Sequence, residues 1–312
     1  MASLLMNSPL VTRRRAQLLF FCLLTTAMTL LPPNTTASTT ESSPVSVDRA
    51  VDDSHLRALE RSLASQPDRV KTRYPARNPA ETLSFFGIKP GDTVVETDPG
   101  SGWYSHILHS YLGADGHLVG ADYPLGLYPL FDYYSDEELL TKASWAKHWP
   151  DQFLELGSAV SGYNLDTLPA DLTNSVDCFL FIRSLHNLVD FEAEGGFLTD
   201  SLNEALRVLK PGGVLGVVQH MGPETHSDDW ASGANGYLKL SFVIDTIQAA
   251  GFVLEASSSV NLNPKDQPSE DEYVWRLQPT LEPAESEAVM RSYEAIGESN
   301  RMTLRFRKPM PK

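Results

Sequence analysis

Acidic residues and glycines that could hold a nucleoside lie close together in the segment Thr93–Tyr104. An apolar run there ends in Glu96, passes through a tight turn and enters a segment typical of a helix. Gly100 and Gly102 let the backbone approach a ligand closely, and the helix start offers free N–H groups. Glu96, at the carboxyl end of the strand, can accept hydrogen bonds from ribose hydroxyls or an amine. The pattern predicts the strand–turn–helix geometry of an α/β nucleotide site.

Asp98 narrows the kind of ligand that this turn can hold. It stands where nucleotide-binding loops usually carry their first glycine, so the turn is not a G-x-G-x-x-G fingerprint, and no Lys-Ser/Thr pair follows to make a P-loop. A carboxylate here repels a pyrophosphate and tolerates a cationic ligand. The turn therefore favours a nucleoside without phosphates, and an ordinary Gly/Pro turn of any βα unit stays open as the alternative.

A second acid stands at the end of the next apolar run. Asp122 ends the run His117–Asp122, 20 residues beyond Gly102. In α/β folds an acid at this point hydrogen-bonds the ribose of an adenosine.

The elements that must position these residues alternate between strands and helices. Apolar runs predict strands at 117–122, 175–182 and, directly after Pro211-Gly212-Gly213, at 214–218, a weaker strand within Phe153–Gly162, and strands at Phe252–Val260 and Met302–Arg307. Apolar periodicity and end signals predict helices at Ser54–Ala64, Asn78–Phe86, Trp103–Leu112, Phe197–Leu209 and Phe242–Ala250. Between Asn261 and Asn300 we expect a polar insertion with a helical piece near Pro283–Ile296, of the kind that often shapes a substrate site.

The order of these motifs resembles class I S-adenosylmethionine-dependent methyltransferases. More narrowly, it is similar to a group of predicted bacterial methyltransferases with Arg-His-Pro before the first strand, Pro-Gly-Gly-Gly-Trp-Tyr in the loop and Arg-Asn-x-His-Asn after strand four. The matching segments here are 77–79, 99–104, 183–187 and the ending 303–309, and the resemblance runs from about Asp68 to Pro309. The chain departs from that pattern at Asn78, Asp98 and Ser101.

The resemblance implies a fold, a cofactor and a set of cofactor contacts. The fold is a Rossmann-like, doubly wound sheet, mostly parallel with an antiparallel last strand, and the cofactor is S-adenosylmethionine. The implied contacts are Glu96, Asp98, Gly100 and Gly102 near the methionine portion, Asp122 at the ribose, Asn164 at the adenine and Arg183 at a carboxylate of cofactor or substrate.

Histidines at two strand ends are the candidates for handling the methyl acceptor. Methyl transfer from a sulfonium is an in-line displacement, so a base is needed only if the acceptor must lose a proton. His186 and Asn187 follow strand four, and His220 ends strand five. Imidazole titrates near neutrality, which suits acceptor orientation or general base catalysis. A helix cap or a loop hydrogen bond is the alternative for each.

The N-terminus predicts export. Arg13, Arg14 and Arg15 precede the uncharged run Ala16–Leu31, and small residues ending at Ala37 follow. We expect a signal peptide over 1–37, a flexible leader over 38–50 and a methyltransferase-like domain over 51–312 of a periplasmic protein. An uncleaved anchor is the alternative, although the run is shorter than the roughly 20 residues of a span. Cleavage would leave Cys178 alone, which excludes an intramolecular disulfide and a cysteine-based zinc site.

The negative net charge of the chain limits the kinds of molecule that it can bind. The net charge of −15 becomes −18 when residues 1–37, with three arginines and no acids, are removed. Such a surface repels nucleic acid and anionic lipid, so we expect a small-molecule acceptor and no stable membrane insertion, although solubility alone also explains the charge.

Other chemistries fit the sequence less well. The spacing of His220, His226, Asp228 and Asp229 matches no usual metal site, and the Gly-x-Ser-x-Gly elbow of an α/β-hydrolase is absent. The rival of another class is an exported methyltransferase fold without catalysis that binds an adenosyl compound or another small ligand. It is motivated by the conflict between a predicted signal peptide and a cofactor made in the cytoplasm.

Overall fold

Seven strands form one mixed sheet in the computed structural model, which describes residues 53–153 and 157–311. The strands are β1 (Thr93–Thr97), β2 (His117–Asp122), β3 (Ala159–Asn164), β4 (Val176–Ile182), β5 (Leu209–His220), β6 (Val253–Ser258) and β7 (Arg301–Arg307). Their order across the sheet is β3-β2-β1-β4-β5-β7-β6. β1 to β5 are parallel, and β7 is antiparallel to both β5 and β6. This is the Rossmann-like fold of the class I methyltransferase type, and the predicted fold class is confirmed.

Helices cover both faces of the sheet. They are α1 (Asp53–Ser65), α2 (Asp68–Lys71), α3 (Tyr74–Arg77), α4 (Pro79–Phe86), α5 (Trp103–Leu112), α6 (Asp136–His148), α7 (Leu185–Asp190), α8 (Glu192–Gly195), α9 (Phe197–Val208), α10 (Leu240–Ala249) and α11 (Glu287–Ile296). Two apolar layers result, because neighbouring residues of a buried strand point to opposite faces. Val94 belongs to the apolar cluster that includes residues of α1, α4 and α5, while Val95 belongs to the cluster that includes residues of α7, α9 and α10.

Most predicted elements agree with the observed ones within a few residues, and the differences have local causes. β5 begins at Leu209, so the Pro-Gly-Gly sequence lies inside the strand, where Gly212 has a φ of +75°. α11 begins at Glu287 rather than near Pro283, because the Ser286 side chain caps it by accepting from the Val289 N–H. α6 was not predicted.

The predicted signal peptide and leader lie outside the described residues, and the domain boundaries stay predictions. Within 53–153 and 157–311, no helix combines the length and the apolar character that crossing a bilayer requires. Cys178 is a free, buried thiol in β4. Burial raises its pKa well above the ordinary value, which disfavours the reactive thiolate.

Candidate functional site

A cavity of about 250 Å³ opens at the carboxyl ends of β1, β4 and β5. These strands are neighbours in the sheet, so the residues that follow them meet at one edge. Predicted site residues that line the cavity are Glu96, Asp98, Gly100, Arg183, His186, Asn187 and His220. Gly102, Asp122 and Asn164 are not among its lining residues.

Glu96 is the next-to-last residue of β1 and is 4% exposed. The Ser105 hydroxyl of α5 donates to Glu96 Oε2 at 2.6 Å. Burial raises the pKa of Glu96 to about 8, and the nearby Asp98 adds to the rise, although the Ser105 hydrogen bond opposes it. The carboxyl group is therefore mainly protonated at neutral pH and offers both a donor and an acceptor.

The turn after β1 uses backbone conformations that favour glycine. Gly100 and Gly102 have φ values of +55° and +73°, and Gly102 forms the N-cap of α5. Asp98 adopts a φ of +42° without being glycine, and its N–H donates to the Ala121 carbonyl at 2.9 Å. Such strain is often stored at functional sites. Burial and the charge of Asp122 raise the pKa of Asp98 to about 6, against the opposing effects of Lys142 and Arg183.

The turn after β4 places a guanidinium and an amide in the cavity. Arg183 has a φ of +60°, and its N–H donates to the Val218 carbonyl at 2.6 Å. Its guanidinium makes no hydrogen bond or ion pair with any other residue of the described ranges. The Asn187 amide donates to the Tyr123 hydroxyl at 3.1 Å, and that hydroxyl donates to the Ser184 carbonyl at 2.7 Å.

His186 in α7 and His220 at the end of β5 lie side by side, with ring centroids 5.6 Å apart. His220 Nδ1 is 2.6 Å from the Ser299 hydroxyl, while His186 Nδ1 makes a long contact of 3.5 Å with Gln219 Oε1. Burial lowers the pKa of His186 to about 4, with a further contribution from Arg183. Burial, His186 and Arg183 lower the pKa of His220 well below its usual range. Both imidazoles are neutral at physiological pH.

Asp122 is 1% exposed, and both of its carboxylate oxygens have partners within the chain. Its Oδ1 accepts from the Tyr128 hydroxyl at 2.5 Å and from the Tyr123 N–H at 3.0 Å. Its Oδ2 pairs with Lys142 Nζ of α6 at 3.1 Å, and that ammonium also lies 4.5 Å from the centre of the Tyr128 ring. A ribose can reach this carboxylate only after those groups move.

Asn164, the predicted adenine contact, holds the backbone after β2. Its side-chain amide donates to the Tyr123 carbonyl at 2.7 Å, and it caps the short turn Leu165–Thr167. Its predicted role, like that of Asp122, stays a prediction.

A strap formed by residues 274–280 lines the cavity; it lies within the insertion 261–300 that was expected to shape a substrate site, although none of its residues was predicted as a site residue. The Trp275 ring lies 6.0 Å from the His186 ring. Buried Arg276 anchors the strap by pairing with Asp266 at 2.9 Å, and the Tyr237 hydroxyl donates to the same carboxylate at 2.9 Å. No local spacing marks this segment, because tertiary contacts place it. The helix that carries Lys142, in contrast, could have been predicted from the sequence, because Ser135 and Glu138 form the capping box that starts α6.

The candidate metal ligands do not converge. Within the described ranges no group of three or more metal-ligating side chains occurs. His226 packs on Trp230 with ring centroids 4.5 Å apart, and Asp228 pairs with Lys239 at 2.6 Å.

The chain is only distantly similar to known proteins. No protein-family model and no curated protein matches the chain. Among solved structures, it is similar to an S-adenosylmethionine-dependent methyltransferase from Aquifex aeolicus, with 19% identity over 63% of this chain and 93% of that chain and a TM-score of 0.43. It is also similar to the geranyl diphosphate C-methyltransferase of Streptomyces coelicolor A3(2), with 12% identity over 80% and 83% and a TM-score of 0.45. It is similar as well to the [4+2]-cyclase SpnF, with 17% identity over 76% of this chain and 81% of that chain and a TM-score of 0.46.

Likeness at this level supports no statement about activity. The fold rests on the observed strand order, and the site rests on its own geometry. By that order and by the single antiparallel strand β7, the chain has the fold of the class I methyltransferases.

Proposed function

We propose that the protein transfers the methyl group of S-adenosylmethionine to a small-molecule acceptor. One observation carries the proposal: a single cavity joins the acid-and-glycine turn after β1 to Arg183 and to two neutral imidazoles. The turn supplies the contacts expected for the cofactor, and the histidines supply those expected for an acceptor. The sheet edge that holds the cavity is where α/β folds bind ligands.

The residues fit the methionine end of this cofactor better than its ribose end. Gly100 allows close backbone approach, the N-terminus of α5 offers N–H groups, and the protonated Glu96 can donate as well as accept. The cavity of about 250 Å³ is smaller than the roughly 300–1,000 Å³ typical of ligand sites. Displacement of Lys142 and Tyr128 from Asp122 would free the ribose acceptor.

The chain's own groups then have defined tasks. The bound cofactor supplies an activated methyl group on a sulfonium. Arg183 and Asn187 orient the acceptor, because a displacement needs its reactants held in line. A neutral imidazole of His186 or His220 hydrogen-bonds the acceptor and orients it, whereas the lowered pKa values of both rings disfavour the general-base role. The strap 274–280 keeps water away from the reacting centre.

A second candidate is favoured by the occupied state of Asp122. If Lys142 and Tyr128 never leave that carboxylate, the cavity holds only a smaller ligand, and the protein is a binding protein with a methyltransferase fold. Titration of the purified protein with S-adenosylhomocysteine separates a cofactor site from a site for a smaller ligand. Micromolar binding that Asp122→Asn weakens at least about tenfold supports the enzyme, since one charge-assisted hydrogen bond contributes roughly that much. Well-folded protein that binds neither S-adenosylhomocysteine nor S-adenosylmethionine contradicts it.

We also propose that the protein is exported to the periplasm. The support is the N-terminal pattern of three arginines, an uncharged run and a small-residue site ending at Ala37. Mass spectrometry of the protein from its native cells tests this proposal. A mature N-terminus at Ser38 is the expected result, and an intact N-terminus on protein from the cytoplasm would contradict it.

A further inference from the structure

Behind the cavity, one glutamate is shared by three arginines. Arg73 Nη1 and Arg77 Nε lie 2.8 and 2.9 Å from Glu298 Oε1, and Arg301 Nη1 lies 3.0 Å from Glu298 Oε2. The side chains of Arg77, Arg301 and Glu298 are at most 4% exposed, and that of Arg73 is 30% exposed. One carboxylate cannot neutralise three guanidinium groups. This arginine cluster (Arg73, Arg77 and Arg301 around Glu298) therefore carries surplus positive charge.

The charge of the arginine cluster reaches two side chains that line the cavity, Tyr104 and His220. The Tyr104 hydroxyl donates to the Arg77 carbonyl at 3.1 Å. Burial raises the pKa of Tyr104, while attraction by Arg301 and Arg77 opposes the rise. Burial lowers the pKa of His220, and repulsion by the same two arginines contributes. This wall of the cavity thus favours a negative group and disfavours a positive one.

The acids near the cavity do not cancel this charge. Glu96 is mainly protonated at neutral pH, because burial raises its pKa to about 8. Asp122 is paired with Lys142 at 3.1 Å. That leaves Asp98 to balance both the arginine cluster and Arg183, which lines the cavity as well. Positive charges therefore outnumber negative ones around the cavity.

We propose that the methyl acceptor is a weak acid with an O–H or S–H group, a phenol or a thiol, which the surplus positive charge binds as its reactive anion. The inference deepens the proposed function and rests on it for the transfer step. The arginine cluster acts through its charge, since its side chains lie behind the lining residues.

The charge distribution selects this class of acceptor over others. Phenols and thiols ionise at about pH 8.5–10, and opposite charges that lower the pKa by roughly 1–3 bring their anions within reach of neutral pH. An amine is a cation at neutral pH and is repelled by the same charge. A carboxylic acid is already ionised, so the surplus charge adds nothing to its reactivity. An aliphatic alcohol is too weak an acid to ionise.

The two histidines can hold such an anion without removing a proton from it. His186 and His220 line the cavity, and burial keeps both rings neutral. A neutral imidazole has one N–H group, which can donate to an oxygen or sulfur anion. The Asn187 amide, also in the lining, offers a further donor. The arginine cluster disfavours the imidazolium that a general base would become.

The transfer is balanced without a base in the cavity. The acid releases its proton to solvent as it binds, and its anion then attacks the methyl carbon. An electron pair of the oxygen or sulfur forms the new bond, while the pair of the broken carbon–sulfur bond stays on the cofactor sulfur. One positive and one negative reactant give two uncharged reaction centres, so the step consumes no further proton.

The test measures how a coloured weak acid ionises when it is bound to the purified protein. The probes are para-nitrophenol and para-nitrothiophenol, whose anions absorb visible light. Absorbance is followed against pH with and without saturating protein. Calorimetry compares these probes with para-nitroanisole, which cannot ionise, and with para-nitrobenzylamine, which is a cation at neutral pH.

Charge variants of opposite sign show whether the arginine cluster is responsible. Arg77→Gln removes a positive charge and should raise the pKa of the bound probe, whereas Glu298→Gln removes the negative charge and should lower it. Arg73→Gln, at the half-buried member of the cluster, repeats the first change with less risk to folding. Arg291→Gln, with a side chain 67% exposed on α11, is the control. Thermal unfolding shows which variants are folded.

The proposal expects the pKa of a bound probe to lie at least about 1 below that of the free compound, so that the anion binds at least about tenfold more tightly than the acid. It also expects weaker binding of the anisole and the amine, and opposite shifts in the arginine and glutamate variants. The probe with the larger drop in pKa identifies oxygen or sulfur as the acceptor atom.

Several results would overturn the proposal. These are an unchanged or raised pKa for both bound probes, equal or tighter binding of the anisole or the amine, shifts of one sign in Arg73→Gln and Glu298→Gln, or an equal shift in Arg291→Gln. Wild-type protein that binds neither weak acid would overturn it as well.

Failure of the proposed function is distinguishable, because the probes need no adenosyl compound. Protein that binds S-adenosylhomocysteine but leaves the pKa of the probes unchanged would retain the methyltransferase and remove this acceptor class. Protein that binds the probe anions but no adenosyl compound would remove the methyl transfer, and with it the role of the weak acid as a methyl acceptor.

Discussion

Burial keeps several titratable residues of the cavity in their neutral forms. It raises the pKa of Glu96 to about 8 and lowers the pKa of His186 to about 4. Burial also lowers the pKa of His220, and the neighbouring His186 and Arg183 lower that pKa further. A site built this way has hydrogen-bond donors and acceptors that do not compete with a bound ion. Arg183 and Asp98 are the charged groups that line the cavity beside these neutral partners.

Glu96 leads to a prediction about stability and pH. Between its ordinary pKa of 4.5 and its folded pKa of about 8, the folded protein holds a proton that the unfolded chain has released. The contribution of the protonated Glu96 to the free energy of unfolding is fully present below about pH 4.5. It is lost progressively as the pH rises towards 8. Glu96→Gln cannot ionise, so we expect it to gain about 2 kcal/mol or more relative to wild type from about pH 5 to about pH 8.

Urea unfolding of the two proteins at these pH values measures this difference. Glu60→Gln, on the exposed surface of α1, is the matched control. A Glu96→Gln difference that stays constant across the range would show that the carboxyl group is not held protonated.

Lys142 leads to a prediction about affinity. Its ammonium pairs with Asp122 at 3.1 Å, and the proposed ribose contact requires that pair to open. Lys142→Met is expected to destabilise the fold by about 1–3 kcal/mol, because a buried carboxylate loses a partner, and to raise the affinity for S-adenosylhomocysteine several-fold. Calorimetry and thermal unfolding measure the two effects, with Lys147→Met on the exposed face of α6 as control. Unchanged or weaker binding would mean that Lys142 does not compete with the ligand.

At the scale of elements, the strap 274–280 depends on one buried ion pair. Arg276 and Asp266 lie 2.9 Å apart with side chains 4% and 0% exposed, and Asp266 also accepts from the Asn300 N–H at 2.9 Å. Removal of one partner leaves an unpaired buried charge, so Arg276→Met is expected to cost about 3–5 kcal/mol. Arg291→Met breaks an exposed pair on α11 and is expected to cost about 0–1 kcal/mol.

Urea unfolding at neutral pH compares the two arginine variants. Hydrogen exchange of the strap should also increase in Arg276→Met, since its anchor is gone. Equal stability losses in the two variants would show that the buried pair does not hold the strap.

Local sequence patterns predicted those elements whose burial follows a regular period. α5 has a largely buried surface and was predicted with its observed ends, and β4 is apolar at every position except Asp177. α6 has no buried side chain, so no apolar stripe marks it, although its capping box does. β3 lies at the edge of the sheet with partial burial, which explains why its position was the least certain.

The same distinction applies to the site. Residues at the carboxyl ends of β1, β4 and β5 were predicted, because parallel neighbours bring those ends together. The engagement of Asp122 by Lys142 and the cover provided by Trp275 depend on contacts between segments far apart in sequence. No spacing within one segment contains that information.

At the scale of the whole molecule, charge leads to a prediction about partners. A net charge of −15 repels the phosphate backbone, and the positive charge near Arg183 lies inside the fold rather than on a broad surface. We expect no complex with short DNA duplexes or RNA at micromolar protein and about 0.15 M salt in a gel-shift assay. The proposal of a small-molecule acceptor would be contradicted by a nucleic-acid complex that weakens as the salt concentration rises and becomes tighter when a basic residue is added to the protein surface.

The central claim is that an adenosyl compound binds in the cavity between β1, β4 and β5. A crystal structure of the protein grown with saturating S-adenosylhomocysteine tests it most directly. We predict density with the amino-acid part beside Glu96 and Gly100, the ribose on Asp122, and the Lys142 ammonium displaced from that carboxylate. A cavity without density at saturating ligand, with Lys142 still paired to Asp122, would contradict the account.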